Sequence, residues 1–144
     1  MKLSRSIMLI VALCAQAAAA QDPPFMRHLF APELVMRHHH EVGLTSAQRK
    51  VITEAIHDTQ GRVVELEWSM QDEARKLTDL LAAERVDTET ALAQVGRVLD
   101  LEEQVKKAHL GLLIRIKNAL DPEQQRRLAE LRPDDFSALL DLAF

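Results

Sequence analysis

The sequence has no tyrosine, one tryptophan and four phenylalanines, and only four glycines and five prolines among its 144 residues. Sheet proteins use aromatic side chains to fill pleated faces and glycine to make tight turns. Both are scarce, so the composition leans to helices, which need neither. The single cysteine, Cys14, stands in the N-terminal segment. The rest of the chain has no thiol, hence neither a disulfide nor cysteine chemistry. No Gly-rich phosphate loop, GxSxG, HExxH or CxxC occurs, so nothing in the sequence points to an enzyme. No apolar run is long enough to cross a bilayer comfortably.

The longest such run, IMLIVALCA, has about nine residues and reads as part of a sorting signal. MKLSRS before it carries Lys2 and Arg5, and QAAAA follows it, then QDPP. A positive segment, a short apolar segment and small residues at Ala18 and Ala20 describe a cleavable signal peptide over residues 1–20. Gln21 would become the new N-terminus. Cys14 follows Leu13, where a lipoprotein signal would place a small residue. The expectation is export to the periplasm, with no membrane insertion after cleavage. Lys2 and Arg5 are two of 18 basic residues, so 16 remain against 22 acidic ones, a net charge near −6 for an exported chain of about 124 residues. That balance argues against nucleic acid as a partner.

Two five-residue stretches stand out in the remainder. Residues 44–48 read LTSAQ and residues 120–124 read LDPEQ, the same Leu–(Thr/Asp)–x–x–Gln shape about 76 positions apart. Thr45 with Gln48 makes a capping box: the hydroxyl accepts from the N–H three residues on, and the glutamine reaches back to the N–H of the cap. Asp121 with Gln124 does the same, helped by Pro122 at the first helical position and by Glu123 at the positive helix end. Each motif therefore starts a helix. The fourth helical residues, Arg49 and Gln125, are not apolar, so Leu44 and Leu120 are expected to pack into the fold rather than to staple the helix start.

Two periodic segments separate the motifs. Ile52, Ile56, Thr59, Val63, Leu66, Met70, Ala74, Leu77 and Leu81 recur at steps of three and four, a helical stripe close to a coiled-coil seam. Gly61 is its one weak link. ERVDTET then offers a break, with Asp87 or Thr88 as the next cap. A second stripe runs through Ala91, Val95, Val98, Leu101, Val105, Ala108, Leu112, Ile116 and Ala119. The reading is all-α: a long antiparallel helical hairpin, about 50 Å at 1.5 Å per residue, flanked by a short N-terminal helix over 30–42 that Gly43 ends, and a short C-terminal helix from Pro122 to about Leu131. Residues 21–29 are expected to form a flexible leader, 30–132 the four-helix domain and 133–144 a tail. Two long stripes with so little to cover them imply a homodimer.

A signal peptide, a short helix, LTSAQ opening a long helix and LDPEQ after the hairpin together resemble the Spy/CpxP family of periplasmic proteins, including the related heavy-metal-resistance proteins of the CnrX and ZraP types. LTSAQ is an intact copy of the family motif; LDPEQ has Asp for Thr, which preserves capping. The resemblance covers about residues 30–131. It implies a dimeric helical hairpin without catalysis, acting in envelope stress. One branch is a chaperone holding unfolded periplasmic clients on its apolar face. Another is an adaptor that touches a membrane signalling protein. A third is a sensor or resistance protein binding Ni, Co, Cu or Zn.

Candidate metal donors are Met36, His38, His39, His40 and His109. RHHHE at 37–41 is the conspicuous run, and imidazole and thioether donors suit these metals. On a continuous helix Met36 and His40 share a face, while three adjacent histidines point about 100° apart. Three adjacent histidines also suit a solvated helix end, where positive charge favours the dipole. CnrX-like proteins carry a further His with a Met one turn later, about two turns before the second motif. Here Leu112, Leu113 and Ile116 hold those places, and His109 comes one turn too early. With the bend near Val86–Asp87, His109 faces roughly residue 64.

Overall fold

A computed structural model describes residues 24–132. The expected signal peptide, the first leader residues and the tail at 133–144 lie outside the described residues. The described residues contain helices and no strand. A 3₁₀ turn, Pro24–His28, is followed by α1 (Pro32–Arg37), α2 (Ser46–Leu81), α3 (Thr88–Ala119) and α4 (Pro122–Glu130). Packing of α2 along α3 dominates the tertiary contacts. The bend falls at Ala82–Asp87, where Asp87 caps α3 by accepting from the Thr90 N–H.

The antiparallel register agrees with a bend at that place. Asp58 of α2 meets Arg115 of α3 at 3.1 Å. Farther along, Gln94 of α3 donates to the Glu73 carbonyl and carboxylate of α2 at 2.9 and 2.7 Å, and its own oxygen accepts from Arg97. Gln94 is buried in the seam, a place the apolar stripe through Val95 does not indicate.

The core sits at one end of the hairpin. Phe30, Leu34, Val35 and Val42 from the N-terminal segment meet Ile52 and Ala55 of α2, Leu112 and Ile116 of α3, Leu120, and Leu128 of α4. Leu44 packs against this cluster half-buried and Leu120 lies within it. Among the described residues, the two long helices have only each other toward the bend. Trp68 there is 65% exposed and Leu92 63%.

The N-terminal segment departs from expectation in two ways. The helix foreseen over 30–42 is regular only for Pro32–Arg37; residues 38–43 form successive turns. The His39 ring Nδ1 donates to the Met36 carbonyl at 2.6 Å, an acceptor that the next helical N–H would otherwise use. The turns close at Gly43, with φ of 66°. Gly43 N–H donates to His40 O and Leu44 N–H to His39 O, the Schellman pattern of a helix end. The end of the leader, from Met26 onward, is also tied down rather than loose. Leu29 and Phe30 are buried, Lys117 donates to His28 O at 2.8 Å, and Arg132 donates to Arg27 O at 2.7 Å and to Leu29 O.

Two glycines should respond to alanine with opposite signs. At Gly43 nothing stands within 4 Å of an added Cβ, yet the positive φ strains any L side chain, so Gly43→Ala is expected to cost about 1 kcal/mol. At Gly61, inside α2, the space is equally open and the backbone is helical. Gly61→Ala is expected to gain up to about 1 kcal/mol. Urea melts of the two variants check both signs.

Candidate functional site

Both motifs form full capping boxes. Thr45 Oγ1 accepts from the Gln48 N–H at 3.1 Å, and Gln48 Oε1 accepts from the Thr45 N–H at 3.0 Å. Asp121 Oδ1 accepts from the Gln124 N–H at 2.8 Å, and Gln124 Oε1 from the Asp121 N–H at 3.0 Å. The tertiary fold then brings the two glutamines together. Gln48 Nε2 donates to Gln124 Oε1 at 2.8 Å, and Gln124 Nε2 returns a bond to Gln48 Oε1 at 3.1 Å. The second hydrogens go to the Ala119 and Gly43 carbonyls. Four chain segments, the ends of the α1 region and α3 and the starts of α2 and α4, therefore meet on one pair of amides. Capping explains each motif separately; the pairing explains why both carry glutamine.

The histidine run does not gather into one centre. His38 Nδ1 donates to Glu41 Oε1 at 3.1 Å, His39 is bonded to the Met36 carbonyl, and the His39 and His40 rings lie 3.9 Å apart, tilted by 39°. His40 lies beyond α1, so it does not share a regular helix face with Met36. Met36 and His39 border one small cavity of about 220 Å³.

Met36 also borders a larger cleft of about 580 Å³ between α1, α2 and α3. His109 stands on its far wall, with Glu33 beside Met36 and Glu67 on α2. Neither Glu33 nor Glu67 is among the metal donors expected from the sequence, where Glu67 reads as part of a solvated acidic face. Glu67 was findable, being about one turn from the position opposite His109. Glu33 Oε2 is buried and makes no hydrogen bond among the described residues, an unusual state for a buried carboxylate oxygen. His109 is half-buried. Desolvation lowers its pKa from the ordinary imidazole value, and the nearby Glu67 charge opposes that shift. Neutral imidazole, the form that ligates metal, is thereby favoured at neutral pH.

Thioether, imidazole and carboxylate donors thus line a single cleft. They are not gathered: among the described residues no three His, Cys, Asp or Glu side chains stand close enough to hold an ion. A comparison with protein families decides what the arrangement belongs to. The heavy-metal resistance family matches residues 5–127.

The chain belongs to the heavy-metal resistance family. Within it the protein is of the Spy/CpxP-like helical kind that includes the CnrX and ZraP types. No solved structure matches the chain. The match extends across both motifs and the whole hairpin, so the glutamine pair and the donor-lined cleft lie inside the family region. The side chains with donor atoms that line the cleft come from three helices; of the candidates read from the sequence, Met36 and His109 are among them and His38, His39 and His40 are not.

Proposed function

We propose that this heavy-metal resistance protein is a non-enzymatic periplasmic protein that takes up a transition-metal ion, Ni, Co, Cu or Zn, in the cleft between α1, α2 and α3. Glu33, Met36, Glu67 and His109 are its donors. The observation that carries this reading is the buried Glu33 oxygen, without a hydrogen-bond partner among the described residues, in the cleft that Met36 and His109 also line. A cation satisfies such an oxygen as well as a hydrogen-bond donor would, and the mixed donor set suits late first-row metals better than Mg or Ca. The donors are apart in the described fold, so uptake requires their side chains to turn inward, while α1 is already held on the hairpin through Leu34 and Val35.

Periplasmic location is supported by the signal-like N-terminus read from the sequence. No helix among the described residues is long and apolar enough to cross a membrane. A homodimer is supported by the thin cover over the outer half of the hairpin.

Calorimetric titration of the exported chain with each of the four ions tests the reading. Binding tighter than about micromolar is expected, weakened at least about tenfold (about 1.4 kcal/mol) by Glu33→Gln or His109→Ala. The triple change His38→Ala, His39→Ala, His40→Ala is expected to leave most of it. The reverse pattern moves the site to the histidine run, and no heat with any ion discards the reading.

A second reading is favoured by a different observation. Trp68, Leu92, Leu99 and Val64, each at least half exposed, stand on the outer part of the hairpin, where a chaperone of this family's kind would hold unfolded clients. Suppressed aggregation of a reduced or denatured client, unaffected by metal and reduced by Trp68→Ser, would favour it.

A further inference from the structure

An apolar groove of about 470 Å³ runs along α3 from Leu113 to Glu102. Phe25 and Met26 of the leader wall one end, and Met70 of α2 lies across from Val105 toward the other. Met26 is fixed there by packing on the Leu29, Ala31 and Leu113 cluster together with Leu110. Phe25 is 54% exposed on the rim. One cation, Lys106, lies along the groove. A groove so apolar on a chain so charged needs a cover.

The last described residue shows what stands at its mouth. Arg132 donates to the carbonyls of Arg27 and Leu29, the residues just after Met26, and its guanidinium lies 5.5 Å above the Phe30 ring. Residues 133–144, PDDFSALLDLAF, therefore leave the fold beside the leader end of the groove. Their pattern suits it. Phe136, Leu139, Leu140 and Ala143 fall at i, i+3, i+4 and i+7, one face of a helix. Asp134, Asp135 and Asp141 fall off that face. Length suits as well: twelve helical residues span about 18 Å, and the α3 stretch from Glu102 to Leu113 spans about 17 Å.

We infer that residues 133–144 dock in this groove as an amphipathic helix. Phe136 lies nearest Leu110 and Leu113, Leu140 and Ala143 lie nearest Val105 and Met70, and Asp141 lies within reach of Lys106. His109 borders both this groove and the cleft beside Glu33, but docking of the tail rests on the groove's apolar walls and needs no metal.

A benzophenone side chain placed at position 140 of the full chain reads the contact directly. Light-induced cross-links are mapped by mass spectrometry in a mixture of ¹⁵N-labelled and unlabelled protein. The expected products join position 140 to residues 102–113 within one chain. They are lost when Phe136→Asp and Leu139→Asp are added, with the helical circular dichroism unchanged. Products only between labelled and unlabelled chains would assign the groove to a second copy and overturn the inference. Cross-links to other segments, no cross-link, or products that survive the double change would overturn it equally.

Discussion

Replacing Ile116 by alanine is expected to cost about 3 kcal/mol, within the range for large-to-small changes in a packed core. Ile116 is fully buried where the N-terminal segment, both long helices and α4 converge. Its loss leaves a cavity bordered by side chains from four elements, which cannot all collapse into it. For a chain of this size the melting temperature should fall by roughly 10 °C. Leu92→Ala, on the 63% exposed outer part of α3, is the control. As part of a monomer it should change stability by less than about 0.5 kcal/mol. A cost for Leu92→Ala near that of Ile116→Ala would mean that the outer hairpin is covered, as in a dimer. A cost for Ile116→Ala below about 1 kcal/mol would contradict the core described here.

The glutamine pair should produce the next largest effect. Gln124→Leu removes two bonds with Gln48, one to Gly43 and the acceptor for its own cap, and leaves both the nitrogen and the oxygen of the part-buried Gln48 amide one partner short. The expected cost is about 2–3 kcal/mol, because a buried polar group without a partner carries its full desolvation penalty. Gln48→Leu should cost a similar amount. The double variant is expected to cost at least about 1 kcal/mol less than the sum, since neither amide is then left alone. Chemical denaturation of the four proteins closes the cycle. Additive losses would show that the two glutamines act only as separate caps.

Most of the helical framework could be read along the chain. Thr45, Asp87 and Asp121 cap their helices because a side-chain oxygen needs only the backbone three residues away. The stripes through Ile52 and Leu112 follow from periodicity alone, and the bend near Asp87 fixes the register that places Arg115 against Asp58. Gly43 ends the first helical segment, as its position suggests. The same logic misjudged the three histidines. Local sequence extends a helix through them, while a ring nitrogen at the Met36 carbonyl turns the chain early. It also missed Gln94, since the stripe near the bend is only half covered and a bonded amide fits where an apolar side chain was expected.

By itself the sequence determined α2, α3 and α4, where each starts, and the order in which they fold back, because capping and periodicity act within a few residues. Only the tertiary structure decided that Gln48 and Gln124 share one pair of hydrogen bonds, and that Glu33, Met36, Glu67 and His109 line one cleft. Those side chains are separated by three to 76 positions. The angle at which α1 and α4 close over the hairpin's end brings them together, and that angle is set by packing around Ile116 and Leu128 rather than by any local signal.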